Sequence, residues 1–236
     1  MHLLVPYTNR DPKSRLSPVL SAAERRAFSL AMLCDVVAAV RDAGYEPELL
    51  VPDTLEVTGP DGVSAAIAGS ADAPDGFAAD VAAALADVSV TVDDRALTPA
   101  VNAAIDRLES ESTGAVAVVM ADLALARPPA IERLVAAGGD VAIAPGRGGG
   151  TNALAVRDPR FAVDFHGASY RDHRRIAAER GLTVGVVDSM RLATDVDEPA
   201  DLAEVLLHNR GVASEWLRAA GFEIETDDGR VSVGRS

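Results

Sequence analysis

Lysine is almost missing from this chain. Of 22 basic residues only Lys13 is a lysine, and 36 Asp and Glu leave a formal net charge of −14. An acidic surface repels a phosphate backbone, which excludes a general nucleic-acid binder but not a nucleotide site, where a few local cations suffice. Many Asp on a Lys-poor surface is the composition expected of a cytoplasm rich in salt; a high-GC genome also exchanges Lys for Arg. Cysteine is reduced to Cys34, so an internal disulfide is impossible. Its place on the apolar stripe of a predicted helix marks a buried structural thiol. Aromatic residues are only 4% of the 236 while 48% are hydrophobic, so the core must be built from Ala, Val and Leu. No apolar run is long enough to span a bilayer. The start, Met1 to Pro6, is too short and lacks the cationic beginning of a signal peptide. The expectation is a soluble, cytoplasmic protein without a nucleic-acid or membrane partner.

What is present is an alternation of short apolar strands and helices. His2–Pro6 reads as a strand, Tyr7 to Pro18 as a polar, Pro-containing loop, and a long helix starts at Ser21, with Glu24 completing a capping box and Gly44 ending it. Glu48–Pro52 is the next strand, so the beginning is a βαβ unit and implies a parallel sheet. From Val88 the pattern runs strand Val88–Val92, helix Thr98–Leu108, strand Ala115–Met120, helix Pro129–Ala137, strand Val141–Ala144. Strand Ala153–Arg157, helix Ser169–Arg180, strand Thr183–Val187 and helices Glu198–Leu207 and Ala213–Ala219 follow. Residues 59–87 read as an insertion, with a turn at Pro60-Asp61-Gly62 and a helix at Phe77–Leu85. The tail 222–234 reads as a hairpin about Asp228-Gly229. One domain, 1–236, is expected.

Four segments have residues suited to chemistry. The loop Asn9 to Leu16 follows the first strand, where open α/β sheets bind ligands. Lys13 there supplies a point charge and Arg15 a fork, a pair suited to a polyphosphate; a solvated basic loop is the structural alternative. Asp122, just after the strand Ala115–Met120, faces the crevice and can hold Mg²⁺, or cap a following helix. In Asp195-Val196-Asp197 an extended backbone would aim both carboxylates the same way, and Asp197 equally suits a helix cap. In Pro145 to Asn152 the glycine run allows close approach to an anion and Thr151 adds a hydroxyl; a flexible loop is the alternative. Further on, Ser169 opens a helix whose N-terminus suits phosphate. His166 and His173 lack the partners of a zinc site.

In order along the chain, Lys13 to Ser21 with Glu24-Arg25-Arg26, Asp122-Leu123, Gly150 to Leu154, Phe165 to Ser169 with His173, and Asp195 to Leu202 resemble the 2-phospho-L-lactate guanylyltransferase family of coenzyme F-420 biosynthesis. The resemblance spans most of the chain except 59–87 and the tail. It implies a three-layer α/β/α, nucleotide-diphospho-sugar transferase-like (Rossmann-like) fold with a mostly parallel sheet, and GTP and a small phosphorylated acid as substrates. The acid is 2-phospho-L-lactate, or phosphoenolpyruvate as in related bacterial enzymes. It further implies Mg²⁺ on Asp122, Asp195 and Asp197. Thr151, Gly167 and Ser169 would hold the acid's phosphate, its carboxylate would lie near Leu97–Ala100, and the subunits would form a homodimer. Four departures stand out. Ala124 replaces a Pro after Asp122-Leu123, and Ala100 stands where a Gly is expected. His166 stands where some relatives have Gly, and an early loop lysine is missing, leaving Lys13 and Arg15 to carry the phosphate charge. A related nucleotidyltransferase with another substrate, and a non-catalytic nucleotide-binding protein, are the alternatives.

Overall fold

Short strands that are apolar along most of their length, separated by helices, can bury both faces of a sheet only in a layered arrangement, and the chain adopts one. The computed structural model describes residues 1–53, 74–110, 114–227 and 229–236. The turn expected at Pro60-Asp61-Gly62, the first part of the insertion and Asp228 lie outside the described residues.

In chain order the elements are β1 (His2–Pro6), α1 (Ala22–Asp42), β2 (Pro47–Val51), α2 (Phe77–Ala84), β3 (Ser89–Val92), α3 (Leu97–Ser110) and β4 (Val116–Val119). There follow α4 (Pro128–Ala136), β5 (Val141–Pro145), β6 (Thr151–Val156), α5 (Ser169–Glu179), β7 (Val184–Val186), α6 (Met190–Ala193), α7 (Asp201–His208), α8 (Val212–Ala219), β8 (Phe222–Asp227) and β9 (Arg230–Arg235). The seven-stranded sheet has the order β3-β2-β1-β4-β6-β5-β7. Neighbours are parallel except at β6, which runs antiparallel to both β4 and β5. The connection from β5 to β6 is too short for a crossover, so the chain must turn back on itself.

Alternation along the strands divides the core. Leu3, Val5, Leu49, Val51, Ala117, Val119, Ala142, Ala144, Ala153 and Ala155 enter one apolar cluster. Leu4, Leu50, Val116, Val118, Val141, Ile143, Leu154 and Val156 enter the other. The first face carries small Ala side chains on β4, β5 and β6. Against it lies α1, which is buried nearly all round because α8, α2 and α4 pack around it. Cys34 is buried there. The capping box expected at Ser21 and Glu24 is formed, Glu24 N–H donating to Ser21 Oγ and Ser21 N–H to the Glu24 carboxylate. Phe28 of α1 meets Trp216 of α8 with ring centroids 5.4 Å apart. Asp35 of α1 caps α8 from outside, accepting Val212 N–H at 2.8 Å and Ala213 N–H at 3.0 Å. Helices α3 and α5 lie against the second face.

The tail forms the β8–β9 hairpin. One helix starts later than its sequence pattern suggests: α7 begins at Asp201, not Glu198. The Asp201 carboxylate accepts the N–H groups of Asp197 and Glu198 at 3.0 and 2.8 Å, which holds that segment as a turn. Among the described residues no helix is long and apolar enough to cross a membrane.

Candidate active site

At the carboxyl ends of β1 and β4 the sheet order reverses, because β1 has β2 on one side and β4 on the other. A crevice opens at such a point. The loop after β1 enters it in a tight conformation, with φ of 44° at Asp11 and 55° at Lys13. A side chain in the left-handed region carries a backbone cost, so surrounding contacts must hold it there. Arg25 of α1 does so. Its guanidinium donates to Pro12 O at 3.1 Å, Leu20 O at 3.3 Å and Asp11 Oδ1 at 2.6 Å, while Leu16 is fully buried beneath.

So anchored, Lys13 reaches across the crevice. Its Nζ donates to Asp122 Oδ2 at 2.7 Å and Asp197 Oδ1 at 2.8 Å. Burial opposes the ammonium charge, but Asp122 and Asp197 more than offset it, and the Lys13 pKa is raised. Arg15 lies 3.4 Å from Asp197 Oδ2 and keeps a mostly exposed side chain. Asp195 is turned to Asn152, whose Nδ2 donates to it at 3.1 Å. Burial raises the Asp195 pKa; Asn152 works against that, and the nearby charges of Asp122 and Asp197 add to it. The three aspartates therefore share one region. They do not form a ready-made metal site: among the described residues no group of three or more His, Cys, Asp or Glu is placed to hold an ion. Asp122 Oδ1 is nevertheless buried without a hydrogen-bond partner among the described residues. An orphaned carboxylate oxygen suits Mg²⁺, which takes one or two carboxylates and completes its shell with water and substrate phosphate.

Neither Asp122 nor Asp197 caps a helix. No helix follows Asp122 directly, and α4 begins after Arg127. The glycine segment is partly closed on itself. Gly146 N–H donates to Gly150 O, Gly149 N–H to Gly146 O and Arg147 N–H to Ala193 O, so these amides are spent within the protein and not open to an anion. A Cβ at Gly146 would collide with the Asn152 carboxamide, so glycine there lets the turn close on Asn152.

The expected phosphate residues form a second group. Thr151 and Asn152 are consecutive in β6 and point opposite ways, Asn152 to Asp195 and Thr151 to α5. Thr151 N–H donates to Ser169 Oγ at 2.9 Å, and Thr151 Oγ1 lies 2.8 Å from His173 Nδ1. Thr151 and Ser169 are buried. Gly167, two residues before Ser169, is exposed with φ 45°. His173 is fully buried between Phe161 and Phe165, and burial pushes its pKa down to about 4, against the weaker upward pull of Asp164 and Asp172.

Leu97 and Ala100 line a cavity of about 550 Å³ at the ends of β1, β2 and β3, together with Tyr7, Leu50, Arg95 and Met120. Lys13, Asp122 and Thr151 are not in its wall. Its size and apolar walls suit a nucleoside. Hydrogen bonds tie it to the second group. Thr98 Oγ1 accepts Phe165 N–H at 2.9 Å, Asn102 pairs reciprocally with Val163, and Asp164 N–H donates to His173 Nε2 at 2.8 Å. Sequence reasoning missed the loop clamp Arg25, the orienting Asn152 and this chain of bonds. An Arg or Asn leaves no local pattern when its partners lie far off along the chain.

The family model described as "Guanylyl transferase CofC like" matches residues 1–53 and 75–236. A protein of Halorubrum lacusprofundi is 53% identical over 243 residues, and one of Halomicrobium mukohataei is 49% identical over 235; each pairing covers 100% of both chains. Both relatives bear the name 2-phospho-L-lactate guanylyltransferase. A Desulfovibrio desulfuricans structure described as a nucleotide-diphospho-sugar transferase superposes with a TM-score of 0.67 at 16% identity, covering 92% of this chain and 95% of that one. That likeness supports the fold alone.

Proposed function

The chain belongs to the CofC-like guanylyl transferase family, and from that premise we propose that it transfers GMP from GTP to 2-phospho-L-lactate. The products are lactyl-2-diphospho-5′-guanosine and pyrophosphate, a step in coenzyme F-420 biosynthesis. The carrying observation is the convergence of Lys13 with Asp122 and Asp197, residues far apart in the chain, at the crevice of the sheet. A phosphate oxygen of the acid attacks the α-phosphorus of GTP. The new P–O bond forms as the bond to the β-phosphate oxygen breaks, and pyrophosphate carries away the electron pair. With a second pKa of about 6, a phosphate monoester is already largely dianionic at neutral pH, so no general base is required.

Catalysis then rests on placement and charge. An ammonium has three N–H donors and Lys13 uses two on the aspartates, which leaves one for a phosphate oxygen. Arg15, exposed beside it, can fork onto the same polyphosphate. Asp122 and Asp197, with Asp195 oriented by Asn152, would hold Mg²⁺. When bound, the ion supplies charge neutralisation on the phosphates. The nucleoside occupies the cavity, the carboxylate of the acid lies near Leu97 and Ala100 at its wall, and Thr151, Ser169 and Gly167 take the phosphate of the acid. A homodimer and a cytoplasmic location belong to the same proposal, the first read by light scattering.

The test is to incubate the protein and Mg²⁺ with each NTP plus 2-phospho-L-lactate or phosphoenolpyruvate, and to identify products by mass. The expected product is the guanylyl adduct of 2-phospho-L-lactate. Absence of any nucleotidyl adduct, or near-normal pyrophosphate release by Asp122→Ala, overturns the reading.

A further inference from the structure

The buried histidine is not needed for proton transfer, yet its two hydrogen bonds leave no freedom in where its proton lies. The Asp164 N–H can only donate, and it donates to His173 Nε2 at 2.8 Å. Nε2 is therefore bare, and a neutral ring must hold its proton on Nδ1. Nδ1 lies 2.8 Å from Thr151 Oγ1, so the ring donates and the threonine oxygen accepts. The hydroxyl's own hydrogen is then released to point elsewhere. Ser169 is arranged alike: its Oγ accepts Thr151 N–H at 2.9 Å, which frees its hydrogen too.

We propose that His173 is a positioning residue which, locked as the Nδ1–H tautomer by the Asp164 backbone, turns the Thr151 hydroxyl into an obligate donor to the phosphate of the acid substrate. This rests on the reading of Thr151 and Ser169 as the phosphate site. If the ring were protonated on both nitrogens, Nε2–H would face Asp164 N–H, donor against donor. The charged groups that act on the ring are Asp164 and Asp172; Phe161 and Phe165 supply its apolar walls. A hydroxyl free to choose either partner would spend part of its time donating to the ring. Fixing its direction makes it a ready anion ligand, with no reorganisation when phosphate arrives.

The experiment has a spectroscopic arm and a kinetic arm. In the full chain, ¹⁵N spectra of the His173 ring are expected to show the proton on Nδ1 and no titration between about pH 6 and pH 8. His173→Phe keeps ring volume and removes the donor, and is expected to raise KM for 2-phospho-L-lactate about tenfold with KM for GTP nearly unchanged. His173→Asn places an amide donor near the Nδ1 position and is expected to recover most of that loss. A proton on Nε2, or titration within that pH range, overturns the proposal whether or not the variants fold. So does an equal rise in both KM values, or a His173→Asn variant no better than His173→Phe. Thr151→Val separates the two levels. If it leaves KM for 2-phospho-L-lactate unchanged, the phosphate-site reading itself fails. If it raises that KM and His173→Phe does not, only the role of His173 fails.

Discussion

The loop that carries Lys13 and the helix start that carries Ser169 lie at the same end of the sheet, yet they hold their functional groups by different forces. The first is ionic. An ammonium is shared between two carboxylates, on a backbone bent into the left-handed region and clamped by Arg25. The second is neutral, and a buried imidazole and two hydroxyls are ordered by the direction of single hydrogen bonds. The ionic side suits a polyphosphate and a metal, where charge must be matched. The neutral side suits a monoester that must stay a nucleophile, because strong cationic neutralisation would blunt its attack.

The largest effect should come from breaking the ionic side. Asp122→Ala is expected to lower turnover on the order of a thousandfold, read as pyrophosphate release, since it removes both the Lys13 anchor and the orphaned buried oxygen. Lys13→Met should lose roughly a hundredfold and should also lower the melting temperature, because Asp122 and Asp197 are left without their buried counter-charge.

The neutral side should show itself in pH. His173 has a folded pKa of about 4, below its ordinary value, so the unfolded chain binds the proton first as pH falls. Its contribution is therefore constant above about pH 6.5 and lost progressively toward about pH 4, by roughly 3 kcal/mol in all. Urea melts of the wild type and His173→Phe, followed by the fluorescence of Trp216, should differ in slope across that window and not above it. An identical slope would remove the buried neutral histidine from the account.

Smaller effects sharpen the comparison. Ser169→Ala should raise KM for the acid about tenfold with little change for GTP, the reverse of what Arg15→Ala should do. The smallest concerns neither side. If the net charge of −14 reflects a salty cytoplasm, molar KCl should raise the melting temperature by a few degrees over dilute buffer, because it shortens the Debye length from about 10 Å or more to about 3 Å. An unchanged melting temperature favours genome composition as the origin of the arginines.

The ionic half was largely legible in the sequence, because charges announce themselves. A sole lysine in a loop after a strand and aspartates after later strands are conspicuous in a list of residues. The neutral half was visible only as a few residues resembling a family pattern. Nothing local says that Asp164 N–H faces Nε2, and that one contact settles the tautomer. The glycine segment shows a different limit: its composition suggests an anion cradle or a flexible loop, and only the fold commits three of its amides to closing a turn and to Ala193.

By itself the sequence determined where most strands and helices lie, because periodicity, capping boxes and helix-ending glycines act over a few residues. His2–Pro6 and the Ser21–Glu24 cap are as its pattern requires. Only the tertiary structure decided that β6 runs backward, that α7 starts at Asp201, and that Lys13 meets carboxylates 109 and 184 residues away. Those outcomes depend on which distant donor finds which acceptor once the sheet has brought its strand ends together. A linear pattern carries the groups, and the fold assigns their partners.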